Sequence, residues 1–143
     1  ATFYKPELAG IIDPQTVQGK AELFVEYEDR LAIYDALIMC RFYRDLVLWE
    51  DIQELLQVTM GITPSSDDLR RMANNVITAT RRFNYAQGMT REDDRLPRRF
   101  FIEPIEKGYV LSESEVNTML QEYYQLRGWA EDGTPPALEK GVE

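Results

Sequence analysis

Residues 24–40 read FVEYEDRLAIYDALIMC. Large side chains recur at Phe24, Tyr27, Leu31, Tyr34 and Ile38, in alternating steps of three and four. At 3.6 residues per turn those steps share one face, which predicts an amphipathic helix. Upstream, Asp13-Pro14 offers an N-cap followed by a proline at the first helical position. Gly19 then weakens the early turns by up to about 1 kcal/mol relative to Ala. The octet that closes the stretch, IYDALIMC (33–40), sets an acid and a thiol among apolar residues, so Asp35 and Cys40 are the first candidates for chemistry.

The remaining segments extend the helical reading. Leu48, Ile52, Leu55, Leu56 and Thr59 predict a second helix that stops at Gly61, a C-cap residue. A third opens at Thr63-Pro64-Ser65-Ser66-Asp67-Asp68, where hydroxyl caps and early acids suit a helix N-terminus. Its face reads Leu69, Met72, Val76, Ala79 and Phe83, until Gly88. The last begins at Ser112, which forms an S-x-x-E capping box with Glu115, and runs through Val116, Met119, Leu120 and Tyr123 to Gly128. Between the last two lies a polar stretch with prolines at 97 and 104. FFIEPIEKGYVL (100–111) has room for a short extended pair, which its proline demotes to edge or loop. The expectation is an all-α, multihelical single domain over 1–143, with a long ordered loop before the last helix and a turn-rich tail at 130–143.

Composition narrows the function classes. The chain has 143 residues, 44% hydrophobic and 29% charged, an ordinary globular balance. A length of that order buries roughly 68–70% of its unfolded surface in one core. Its net charge of −9 argues against a surface that tracks nucleic-acid phosphates and against an anionic membrane partner. No apolar run reaches the 18 residues of a membrane span, and ATFYKPELAG lacks a signal-peptide pattern. One cysteine makes no internal disulfide and no four-ligand metal site alone. With no histidine, the usual proton shuttle and imidazole ligand are missing. Ala at position 1 suggests a fragment or processed product.

Each motif has a plain reading beside a functional one. A lone cysteine on an apolar helix behaves as a small hydrophobe; alternatively Cys40 supplies a thiolate to a soft metal. Asp35 pairs with Arg30 or Arg41, faces solvent, or accepts hydrogen bonds from a ligand's N–H groups. Glu92-Asp93-Asp94 lacks calcium-loop spacing and is flanked by Arg91, Arg95, Arg98 and Arg99, so a loop held by Asp–Arg pairs is favoured over a cation site. The aromatics of EYYQLRGWAEDG (122–133) read as packing anchors before they read as a stacking surface.

Two longer stretches carry a resemblance. RRFNYAQGMTREDDRLPRR (81–99) followed by MLQEYYQLRGWAEDGTP (119–135) is similar to the C-terminal end of the tungsten-containing aldehyde ferredoxin oxidoreductase family. That family shows R-x-F-N, then G-x-x-R-x-D-D-x-L-P-x-R, then E-Y-Y-x-x-R-G-W. Arg81, Phe83, Asn84, Gly88, Arg91, Asp93, Asp94, Leu96, Pro97 and Arg99 match in order, as do Glu122, Tyr123, Tyr124, Arg127, Gly128 and Trp129. Gly19-Lys20-Ala21 resembles the family's G-K-A, and DALIMC resembles its D-x-x-G-L-C. Ile38 departs from the family's Gly, Met39 from its Leu, and Ala86-Gln87 from a frequent Arg-Glu.

The resemblance implies that the whole enzyme oxidises aldehydes to carboxylic acids at a tungsten (or molybdenum) bis-pterin centre. Electrons then pass through a [4Fe–4S] cluster to ferredoxin. It assigns Cys40 as one cluster ligand and Asp35, Met39 and Arg41 as pterin contacts. The other cluster cysteines, a C-x-x-C-x-x-x-C run, and the pterin-cradling domains would lie upstream of Ala1. The partners implied are therefore the N-terminal domains of the same enzyme, ferredoxin and an aldehyde, without nucleic acid or membrane; a homo-oligomer stays open. The isolated chain is expected to be inactive and to hold neither cofactor, and a reduced ligand thiol suggests the cytoplasm. The other reading is a cofactor-free helical interaction module that kept the family fold, which the Ile at position 38 favours.

Overall fold

The computed structural model describes residues 16–104 and 108–137, and among them the regular structure is helical throughout. Helices α1 (Lys20–Ala36), α2 (Trp49–Met60), α3 (Ser66–Ala86) and α4 (Glu113–Arg127) are joined by loops. Short 3-10 turns lie at Arg41–Tyr43, Arg91–Asp94 and Arg98–Phe101. The all-α expectation holds, and so does the long loop ahead of the last helix. In place of an extended strand, residues 98–101 form a 3-10 turn.

The caps read from sequence are in place. Ser112 Oγ accepts the Glu115 N–H at 3.2 Å while the Glu115 carboxylate accepts the Ser112 N–H at 2.8 Å. Ser65 and Asp68 reciprocate in the same way at the start of α3, at 3.1 and 3.0 Å. Gly61 ends α2 with φ +71°, its N–H on the Gln57 carbonyl. The start of α1 differs from the expectation. Gly19 lies outside the helix, at φ +79°, and α1 begins at the next residue. Asp13 and Pro14 lie outside the described residues.

The described residues divide into two compact units, Leu23–Ile77 and the combination of 16–22 with 78–104 and 108–137. In the first, Ile33 and Tyr34 of α1 pack with Trp49, Ile52 and Leu56 of α2 and with Leu69 and Ala73 of α3. A carboxylate ties these helices together. Glu26 accepts from the Trp49 indole N–H and, at 3.1 Å, from Arg70 Nε, whose guanidinium lies over the Trp49 ring.

The predicted apolar stripes are only partly the buried faces. Phe24, Met72, Val76 and Phe83 are exposed, and Phe83 retains 65% of its accessible surface. Ile33, Ala73, Thr78 and Arg81 are buried instead. Ile38 is not in a helix at all.

Arg81 organises the second unit. Its side chain is 9% exposed and faces Asp94, which is 12% exposed, across a two-pronged pair with Nη1–Oδ1 at 2.7 Å and Nη2–Oδ2 at 2.5 Å. Tyr124 donates its hydroxyl to the same carboxylate at 2.5 Å. Arg81 Nε donates to the Gly133 carbonyl at 3.2 Å, and its guanidinium lies 5.0 Å from the Trp129 ring centroid. Trp129 in turn donates to Thr78 Oγ1 at 3.1 Å.

Burial alone would raise the Asp94 carboxyl; hydrogen bonds from Arg81 and Tyr124 outweigh it and hold the group below the usual carboxylate range. Tyr124 moves the other way, pushed up to about 12 by burial and then by the Asp94 carboxylate. The approach at Gly133 is tight: a Cβ there would sit 2.7 Å from Arg81 Nη2, on a backbone with φ +77°. The acids of the 92–94 run therefore have partners. Asp94 meets Arg81, Glu92 meets Arg95, and Asp93 caps Thr90. That is the Asp–Arg loop the sequence suggested.

Candidate functional site

Asp35, Ile38, Met39, Cys40 and Arg41 all fall where α1 ends, inside the first unit. The helix stops by a Schellman arrangement: the Met39 N–H bonds the Tyr34 carbonyl at 2.8 Å and the Ile38 N–H bonds the Asp35 carbonyl at 3.2 Å. That pattern needs a left-handed residue between the two, and Ile38 fills it with φ +57°. It is the one non-glycine with positive φ among the described residues. A left-handed conformation costs an ordinary residue about 1–2 kcal/mol, and β-branching does not relieve it. The Ile38 side chain, 94% exposed, makes little of that cost back by burial.

Beyond Ile38 the side chains diverge. Met39 turns inward and packs against the core of its unit, and its N–H is committed to Tyr34. Cys40 is exposed with a free thiol. Arg41 folds back on Asp35, donating from Nε to Oδ1 at 3.0 Å and from Nη2 to Oδ2. The Arg41 hydrogen bond holds the Asp35 carboxyl below its ordinary value, so it is an acceptor at neutral pH. Of the partners open to Asp35, the structure selects Arg41. The pair closes the seven-residue segment 35–41 with the exposed Cys40 inside it.

Sequence spacing gave no hint of the group that fixes this loop. The fully buried Tyr34 places its hydroxyl 2.7 Å from the Val47 carbonyl and 3.0 Å from that of Tyr43. It thereby anchors the segment just after Cys40. Its acceptors are main-chain oxygens, which any residues at those positions would supply.

A family model described as "Aldehyde ferredoxin oxidoreductase, domains 2 & 3" matches residues 1–139. The chain belongs to the aldehyde ferredoxin oxidoreductase family. Similar curated proteins are tungsten-containing aldehyde ferredoxin oxidoreductases. The one from Thermococcus kodakarensis is 33% identical over 96% of this chain and 24% of its own length. That of Pyrococcus horikoshii is 33% identical over 92% and 23%, and that of Pyrococcus furiosus 31% over 92% and 23%. The chain thus spans about a quarter of these oxidoreductases. A solved active-site complex of benzoyl coenzyme A reductase with 1,5-dienoyl-CoA shares the fold, with a TM-score of 0.70 and 23% identity, over 87% of this chain and 19% of that one. Among the described residues no helix is long and apolar enough to cross a membrane.

The donors at the end of α1 are of the chemical types that the cofactors implied by the resemblance would take. An exposed thiol is a ligand type for iron–sulfur iron, one of the four that such a cluster needs. An exposed carboxylate kept ionised by an arginine matches the N–H edge of a pterin. Met39 is the poorer fit, since only its carbonyl remains available there.

Proposed function

We propose that this chain is the C-terminal helical domain of a tungsten (or molybdenum) bis-pterin, [4Fe–4S] aldehyde ferredoxin oxidoreductase. The complete enzyme oxidises aldehydes to carboxylic acids and delivers the electrons to ferredoxin. When bound, the metal–pterin centre supplies the two-electron oxidation and the cluster single-electron transfer. The chain's own residues hold and orient. Cys40 gives its thiolate to cluster iron. Asp35 accepts N–H bonds from a pterin, and Arg41 keeps that carboxylate ionised and aimed while its neighbouring backbone meets the same ring. Met39 contributes its carbonyl. A ligand thiol that must stay reduced fits the cytoplasm.

The observation that carries this reading is the backbone at Ile38. The family's D-x-x-G-L-C motif has glycine at this position, and the position is left-handed here, the conformation glycine adopts at least cost. Correspondence of conformation, and not of side chain alone, supports the roles of Asp35 and Cys40 on either side. The cofactor-free module remains the second reading, on the one observation that a β-branched side chain projects 94% exposed from that turn.

The test is Cys40→Ala in the complete, anaerobically purified enzyme. Iron and acid-labile sulfide per protein are expected to fall sharply, with loss of electron transfer to the acceptor. Unchanged iron and unchanged electron transfer would remove Cys40 from the cluster. The isolated chain is expected to be colourless, free of iron and inactive towards aldehydes.

A further inference from the structure

The second unit contains a cavity of about 300 Å³ between the 91–101 loop and α4, and no part of the reading above uses it. We infer that it binds a small organic monocarboxylate with an apolar body, a function additional to the one proposed for the end of α1. Its volume is at the lower end of small-ligand pockets. Its apolar lining, here the floor, is made by Leu96, Phe101, Val116 and Leu120, of which Val116 alone is buried, and its charged lining, here the rim, includes Arg91, Arg95 and Arg98. That is a local concentration of positive charge in a chain whose net charge is −9.

Which of these charges is already committed decides the ligand. Arg95 is paired with Glu92, Nη1 to Oε2 at 2.7 Å. Asp94, the nearest acid, is saturated by Arg81 and Tyr124. Among the described residues Arg91 donates to a neutral amide, Asn117 Oδ1 at 3.1 Å, and lies over the Tyr124 ring, while its charge also favours the Asp94 carboxylate without a hydrogen bond to it. The Arg98 side chain has no hydrogen bond or ion pair with any described residue. The remaining rim acid, Glu113, forms no ion pair among the described residues. Two arginines thus outnumber one acid above an apolar floor. A guanidinium fork matches a carboxylate in two parallel hydrogen bonds. The floor gives no such match to inorganic phosphate, which has no apolar body, and the rim gives none to a neutral hydrocarbon.

The test is calorimetric titration of the intact protein that carries this chain with benzoate, benzamide and inorganic phosphate. Benzoate is expected to bind, benzamide at least about tenfold more weakly, and phosphate not to displace benzoate. Arg98→Gln, an exposed change, is expected to weaken benzoate about tenfold, and Arg91→Gln to weaken it independently. Arg71→Gln, which removes an exposed arginine outside this cavity and outside the end of α1, is expected to leave benzoate affinity unchanged, which excludes a general effect of net charge. Absence of benzoate binding, equal affinity in Arg98→Gln, or displacement by phosphate would each overturn the assignment.

Discussion

Helices α1 and α4 end in the same hydrogen-bond pattern with opposite consequences. At α4 the Trp129 N–H bonds the Tyr124 carbonyl and the Gly128 N–H bonds that of Gln125, with Gly128 at φ +69°. At α1 the matching bonds run from Met39 to Tyr34 and from Ile38 to Asp35, with Ile38 at φ +57°. The glycine turn is relaxed and delivers Trp129 into the buried Arg81 cluster. The isoleucine turn is strained and leaves Cys40 and the Asp35–Arg41 pair facing outward. The family resemblance covers both segments, in full at the end of α4 and with departures at Ile38 and Met39 at the end of α1. Physically one is a clamp and the other an exposed presentation of side chains, and backbone strain sits with the second, as it does at many functional sites.

The comparison breaks most readily on the clamp side. Asp94→Ala strands the Arg81 charge in a buried setting and is expected to cost about 3–5 kcal/mol, read from urea unfolding. A loss below 1 kcal/mol would mean the cluster is not what holds its unit. The same cluster predicts a pH signature at both ends. The folded Asp94 carboxyl is depressed, so its contribution is present above the unfolded value and disappears as pH falls through the folded one. Tyr124 is raised to about 12, so its contribution is intact below the ordinary value of about 10 and disappears as pH rises from there towards 12. Stability profiles of Tyr124→Phe should show a smaller alkaline loss, with the share of the raised Tyr34 and Tyr109 remaining.

Exchanging the two turn residues sharpens the contrast. Gly128→Ile is expected to destabilise by about 0.5–1 kcal/mol, the left-handed backbone cost less the unfolded-state freedom that glycine takes with it, since no atom lies within 4 Å of the added Cβ. Ile38→Gly should move stability the other way, by about 0.5–1 kcal/mol once glycine's greater unfolded-state freedom is subtracted. Equal effects of one sign would show that the two turns are not energetically different. The smallest effect on folding belongs to Arg41→Gln, whose carboxylate partner is over half exposed; no change in thermal midpoint is expected. In the complete enzyme the same variant should lower pterin content if Asp35 needs its partner.

What could be read from sequence follows from locality. The Ser112–Glu115 box, the hydroxyl cap in the 63–68 run and the stop at Gly61 depend on neighbours within a turn, and each is found as expected. The end of α1 was not legible, because a left-handed stop written with isoleucine reads as one more apolar position in a helical stripe. Burial of Arg81 was not legible either, since its partners stand 13 and 52 residues away. The stripes at Phe24, Met72, Val76 and Phe83 misled for a related reason: helical spacing identifies an apolar face but not what covers it. In the candidate site, Asp35 and Cys40 were visible as an odd acid and thiol, whereas Tyr34 was visible only as core.

The clamp on Arg81 also has a schedule. Its Nε reaches the Gly133 carbonyl 52 residues downstream, and its neighbour Arg82 reaches Pro136 54 residues on. During synthesis at about 5–20 residues per second, Arg81 is joined to the chain roughly 3–10 seconds before those carbonyls exist. Asp94 follows only 13 residues behind, so the charge is matched early and the final closure of the unit waits for the tail.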